Sequence, residues 1–357
     1  MLVAACGSNS AVNVAHPLYV VVDGQQHLYL EVLSAGHSGV ADRIDLGTVG
    51  RTPPAAGVAL GRGGNVIVTN TAAIEGRAIM VQAATLICRK ESDRCSQLVT
   101  KAGSDAVYRA GPTFVVPLYS GNDMRHGKVA VLDPGPPPHV DRTVALPPGW
   151  YPGPMAMSPD GHHLYWLTAW PPADPTSPAN YVLLEYDLTG ERTIHQVSFG
   201  SRLPGAIGVG ADGVVYVAIT YANLGSKSPP VAPTPGKSVE IFGPDLTYRG
   251  AISVGEAPVR LCVGGLEGDS LAVMYQGSQG GFSHVDLIST ASKRVTRTVH
   301  LPDASPTVAF LSTLGGGDFA IVLAAPGGQF TLGLVPPAGG SMTWHTYPGN
   351  PDSGVAG

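Results

Sequence analysis

Pro152-Gly-Pro-Met-Ala-Met-Ser-Pro-Asp-Gly-His-His-Leu-Tyr-Trp-Leu-Thr168 decides the fold. Met155 to Met157 is a short apolar stretch, Asp160-Gly161 suits a turn with positive φ, and Leu164 and Trp166 alternate along a second strand. Together they predict a β-hairpin. The hairpin returns from Pro204 to Thr220, where Ala206-Ile-Gly-Val209 precedes Asp212-Gly213 and Val215-Tyr-Val-Ala-Ile219 follows, with proline, turn and second strand at matching offsets.

The proline serves as a ruler. Pro152, Pro204, Pro258 and Pro306 are spaced by 52, 54 and 48 residues, and Pro54 lies 98 residues before Pro152, two units of 49. The skipped copy falls near Gly103, where Ala106 to Arg109, Gly111-Pro112 and Thr113 to Tyr119 fit strand, turn and strand. A period near 50 with about four strands per period predicts an all-β β-propeller. Six units follow Pro54, and the first fifty residues supply a seventh, giving seven four-stranded blades in one domain over 10–348, with a tether at 1–9 and a flexible tail at 349–357. In the first unit, Leu18 to Val22, His27 to Val32 and Arg43 to Leu46 read as strands. Either Ala11 to Val14 is its inner strand, or Leu18 opens the blade and leaves it one strand short.

Bulk composition fits. With 357 residues, 44% hydrophobic, the chain buries a large core, and Gly 47 and Pro 32 supply many turns. Only 13% of residues are charged, the net charge is −5 and no Lys/Arg run exists, which argues against a nucleic-acid partner. No stretch is long and apolar enough for a membrane-spanning helix.

Ile252-Ser-Val-Gly-Glu-Ala-Pro-Val259, Val66-Ile-Val-Thr-Asn70, Ala156-Met-Ser-Pro-Asp-Gly161 and the hairpin from His284 to Val295 resemble the YVTN-type propeller repeat. The resemblance implies seven blades and an extracytoplasmic bacterial setting. It leaves function open, because that family contains surface and binding proteins beside relatives with lactonase activity. Met1 to Cys6, followed by Gly-Ser-Asn-Ser, resembles the end of a bacterial lipoprotein signal, with Cys6 as the lipid-carrying residue; it lacks the charged and apolar regions that precede such a cysteine. The alternative is a buried cysteine in a frayed strand.

Cys88 and Cys95 flank a six-residue hairpin and fall opposite one another, so a disulfide is expected, worth about 2 to 3 kcal/mol. The alternative, a metal half-site, lacks a second Cys or His pair. Cys262 lies on an expected inner strand as a buried, inert thiol.

In a propeller, the links between blades share a face with the loops joining second to third strands. The links carry Arg51, Trp150, Tyr151, Arg202, Glu256 and Asp303, with Lys101 or Asp105, to one channel mouth. Arginine forks there would orient a carboxylate or a sugar; the alternative is that these charges pair with one another. The longer second-to-third-strand loops begin at Tyr119, Trp170, Tyr221 and Tyr275, an aromatic rim suited to sugars, peptides or proteins, or one that packs down over the blade edges. Pro229 to Pro235 reads as a polyproline arm.

The chain contains no G-x-S-x-G, H-E-x-x-H or Walker motif. His162 and His163 sit at the opposite end of the blade, one of them alternating with Trp166, and only the link after His300 brings a histidine near the channel. The expectation is a monomeric binding protein without cofactor, metal or catalytic residues, taking a protein, carbohydrate or small-molecule ligand on the loop-rich face and touching a membrane only through its lipid. The alternative is a lactonase-like hydrolase using the channel-mouth carboxylates.

Overall fold

The structure is a computed structural model that describes residues 17–23, 27–34, 39–48, 56–60, 65–74, 80–89, 92–100, 108–110, 113–118, 128–133, 139–145, 153–170, 180–223, 226–227, 230–265, 268–277, 281–302, 309–314, 317–325, 327–336 and 342–356. It is an all-β β-propeller.

Three strands open the chain: β1 (Pro17–Asp23), β2 (His27–Ser34) and β3 (Val40–Thr48). The first contiguous blade is β4 (Ala56–Leu60), β5 (Asn65–Ile74), β6 (Met80–Arg89) and β7 (Ser92–Thr100). Blade two is β8 (Tyr108–Ala110), β9 (Thr113–Leu118), β10 (Lys128–Asp133) and β11 (His139–Ala145). Blade three is β12 (Met155–Met157), β13 (His163–Trp170), β14 (Asn180–Asp187) and β15 (Arg192–Gly200). Blade four has β16 (Leu203–Val209) and β17 (Val215–Asn223), then a small hairpin of β18 (Ser226–Lys227) and β19 (Pro230–Val231), then β20 (Thr234–Phe242) and β21 (Tyr248–Ser253). Blade five is β22 (Pro258–Gly264), β23 (Ser270–Gln276), β24 (Phe282–Ser289) and β25 (Arg294–His300). Blade six is β26 (Ala309–Thr313), β27 (Phe319–Ala325), β28 (Gln329–Val335) and β29 (Thr343–Pro348), and β30 (Asn350–Ala356) ends the chain.

Six blades are therefore runs of their own strands, where seven such runs were expected. The opening strands do not make a blade alone. They form a sheet in the order β3-β2-β1-β30, with the C-terminal strand innermost. The expected flexible tail is this strand, laddered to β1 through Val20–Val355 and Asp23–Asn350. Leu18 and His27 open the second and third strands of this sheet, as in the first of the two registrations and not the one that made Leu18 innermost; the far end of the chain takes the inner place expected for Ala11 to Val14, which lie outside the described residues. Innermost strands adjoin in the order β30, β4, β8, β12, β16, β22, β26 and back to β30. Among the described residues the inner strands close the ring through β30, and Leu18, Val20 and Val22 of β1 add apolar packing against Val322, Phe330 and Leu332 of blade six.

The two diagnostic hairpins form as read. Met155 pairs with Trp166 and Ala206 with Ala218. Gly161 and Gly213 adopt φ of 76° and 78°, and the preceding aspartates accept backbone N–H bonds from His162 (2.9 Å) and Val214 (3.1 Å). Glycine takes that backbone at no steric cost, and few other residue types accept it. The proline-rich stretch differs from its expected polyproline arm: β17 and β20 extend outward, pairing Tyr221 with Pro235, and β18–β19 caps them.

Cores lie between blades. Val115, Val129 and Val131 of blade two pack on Leu164 and Trp166 of blade three, and Tyr165, Leu167 and Leu183 of blade three pack on Ile207, Val217 and Phe242 of blade four. Both faces of these blades are thus apolar, each large side chain contributing about 1.5–3 kcal/mol. Cys262 donates its thiol to Leu311 O (3.1 Å) across two inner strands, and burial pushes its pKa up to about 12, the inert state expected.

Candidate functional site

At the end where between-blade links meet second-to-third-strand turns, a pocket of about 220 Å³ opens between blades three and four. Gly153, Pro154, Leu167, Thr168, Ala169, Tyr181, Leu203 and Pro204 line it. Two features of the sequence build it. A Cβ at Gly153 would run into Leu167 O, so glycine alone lets the chain entering β12 lie this close to β13. Pro154 and Pro204 have no N–H to leave unpaired where their strands begin. Tyr181 is half-buried at the start of β14, and burial pushes its phenol pKa up.

Arg202 directly precedes the pocket-lining Leu203, yet its guanidinium turns away. It stacks 5.4 Å from the Phe199 ring centroid and bonds Glu240, whose side chain is only 9% exposed. The expected ligand-orienting fork is a clamp between blades three and four. Glu256 is exposed and pairs with Lys237 at 2.7 Å. For these two, charge pairing describes the contacts present.

Tyr275 is a correction. Expected on the rim, it is 1% exposed, packs with Leu261 and Val273, and stacks on His284 with centroids 4.5 Å apart. Burial, then the nearby Asp286 charge, pushes its pKa up. Tyr221 does stand at this end, half-buried, donating to Gln276 Oε1 of blade five at 3.5 Å. Trp170 closes β13 beside pocket-lining Ala169. Arg51, Lys101, Asp105, Tyr119, Trp150, Tyr151 and Asp303 lie outside the described residues, as does Cys6. Backbone register places Cys88 opposite Cys95. At the other end of blade three, His163 rather than His162 is half-buried, because the strand's second face is buried as well.

Sequence reading missed a set of buried acids on third strands: Glu31, Glu185, Glu240 and Asp286. Each has a donor. Arg43 binds Glu31, and Thr298 Oγ1 donates to Asp286 at 2.6 Å. Glu185 faces His195 Nδ1 at 2.7 Å and His163 Nδ1 at 3.0 Å. A single acid inside an apolar run, as in Leu183-Leu-Glu-Tyr186 or Val285-Asp-Leu287, was the available clue. Such groups persist in a core only with partners.

No family model and no curated protein matches the chain. Solved structures do. The dihydro-heme d1 dehydrogenase NirN in complex with DHE aligns with TM-score 0.56 at 13% identity, covering 98% of this chain and 77% of that one. The Pan2 WD40 domain of Neurospora crassa aligns with TM-score 0.56 at 8% identity, covering 86% of each chain. The Cps50 (Swd1) propeller domain of Myceliophthora thermophila gives TM-score 0.55 at 10% identity, covering 84% of this chain and 90% of that one. Likeness at these identities establishes the propeller and nothing about chemistry.

Proposed function

We propose that the loop-rich end binds a ligand or partner without transforming it, with the pocket between blades three and four as the anchor point. The observation that carries this is the pocket of about 220 Å³ at the end chosen from the sequence. Its volume lies below the roughly 300–1,000 Å³ of most small-molecule sites, which suits one inserted side chain or sugar ring. Trp170 follows pocket-lining Ala169 along β13, and Tyr221 is the register partner of pocket-lining Leu203, which makes these two positions the outer contacts of the proposal. Against the hydrolase alternative, Glu256 is exposed and already ion-paired.

The proposal extends to setting. The shared sheet counts as the seventh blade of a YVTN-type ring, the chain is exported and held at the envelope through Cys6, and Cys88 and Cys95 are bridged. Filling the pocket tests the central point. Ala169→Leu is expected to abolish saturation-transfer signals from a panel of monosaccharides, aromatic fragments and short peptides that the wild type gives, with the circular dichroism spectrum unchanged. Panel members that bind the filled variant as well as the wild type overturn it.

A further inference from the structure

One group of side chains at the same end serves neither the pocket nor the inter-blade clamp. His284 on β24 and His300 on β25 are register partners. Leu301 N donates to Ser283 O at 3.5 Å, which makes Ser283/Leu301 the hydrogen-bonded pair and His284/His300, the next along, the non-hydrogen-bonded one. In such pairs the Cα atoms stand about 4.5 Å apart and the side chains project from one face at their closest approach.

The His284 ring is held in place. It stacks on the buried Tyr275 ring with an interplanar angle of 18°, and its Nδ1 meets Ser283 Oγ at 2.9 Å. With Nδ1–H donating to that hydroxyl, Nε2 carries the lone pair. Nε2 lies 3.9 Å from Asp286 Oδ2, too far for a hydrogen bond, and Thr298 already holds the other carboxylate oxygen. His300 is exposed and turns at little cost.

We propose that His284 and His300 form a two-histidine site for an imidazole-seeking divalent ion of the copper, nickel and zinc class. Among the described residues no group of three or more His, Cys, Asp or Glu is set for a metal, so two imidazoles are the protein ligands and water completes the shell. Asp286 then stands where it can accept a hydrogen bond from a metal-bound water. Hard ions are excluded because the site offers nitrogen rather than an oxygen cage.

Calorimetric titration of the whole chain with Cu²⁺ and with Zn²⁺ tests this. His300→Gln is expected to weaken Cu²⁺ at the site about tenfold or more, following the strong preference of Cu²⁺ for imidazole nitrogen. His284→Gln does the same, while His162→Gln, at the opposite end of the ring, changes nothing. Cu²⁺ paramagnetic resonance shows two nitrogen ligands in the wild type and one in His300→Gln. Because His300 is exposed, that variant keeps its fold even if His284→Gln does not. Affinity in His300→Gln within twofold of wild type, or Mg²⁺ and Ca²⁺ binding as well as Cu²⁺, overturns the assignment.

Discussion

Arg202→Ala separates a clamp from a ligand contact. The substitution leaves the Glu240 carboxylate, with a side chain 9% exposed, without its cation. Stranding one member of a fully buried pair costs about 3–5 kcal/mol. The Arg202 side chain is 40% exposed, so water reaches the vacated position and the expected cost falls to about 2 kcal/mol. Losing the guanidinium over Phe199 adds about 0.5 kcal/mol. At about 2.1 cal/mol/K per residue over the 357-residue chain, about 2.5 kcal/mol lowers Tm by about 3 °C. Replacing both partners, Arg202→Met with Glu240→Leu, removes the stranded charge and recovers most of the loss. Urea unfolding and scanning calorimetry on wild type, Arg202→Met, Glu240→Leu and the double variant measure the coupling. If Arg202→Ala changes stability by less than about 0.5 kcal/mol, the clamp is not the role of this arginine, and its place at the channel mouth becomes a ligand contact after all.

Deleting residues 350–356 removes β30, the inner strand of the shared sheet, and exposes Val20 and Val22, now at most 1% exposed. Limited proteolysis should then cut within β1–β3 first, and a synthetic 350–356 peptide should restore protection; a truncated chain as resistant as wild type would show that the ring does not depend on this strand. Gly205→Ala sets a Cβ against Thr220 Oγ1, the hydroxyl that donates to Pro258 O of blade five at 2.6 Å. A cost of about 1–3 kcal/mol in urea unfolding is expected, and a neutral result would refute the close packing. The Asp160 carboxylate sits below its usual range because Ser158 Oγ and the His162 N–H donate to it. A lowered folded-state pKa means stability present above the unfolded value of about 3.9 and lost as pH falls through the folded one, so Asp160→Asn should flatten the stability profile below about pH 4, and an unchanged acid limb contradicts this.

Local chemistry was legible and distant pairing was not. Asp160-Gly161 and Asp212-Gly213 declare their turns because only a few residue types accept that backbone, and the proline ruler follows from repetition alone. Asn350 to Ala356 contains Pro351, Asp352, Ser353 and Gly354 and reads as a tail. Its strand character comes from β1, more than three hundred residues away, and no local pattern encodes that partner. Tyr275 was misplaced for a different reason. Alternation tells faces apart only when one is wet, and Leu271 to Tyr275 is buried throughout because a neighbouring blade covers each side. The third-strand acids were visible, but their partners were not: bulges shift register between Glu185 and Tyr186 and between Val32 and Leu33, so counting across the hairpin does not find the donor.

The link from Gly200 to Gly205 joins these threads. Within six residues it supplies a positive-φ turn at Gly200 (φ 61°), the clamp through Arg202, the pocket wall through Leu203 and Pro204, and the close approach to Thr220 at Gly205. Packing that fixes one of these positions fixes the others, since so short a segment has few independent torsions. The pocket is therefore pre-shaped by the same contacts that hold blade three to blade four, and a ligand entering it meets a wall already ordered. The consequence is a coupling: weakening the clamp should lower affinity at the pocket even though Arg202 does not line it. A clamp variant that loses stability while binding pocket ligands with wild-type affinity would mean that the wall and the clamp are independent, and that the pocket owes its shape to β13 and Gly153 alone.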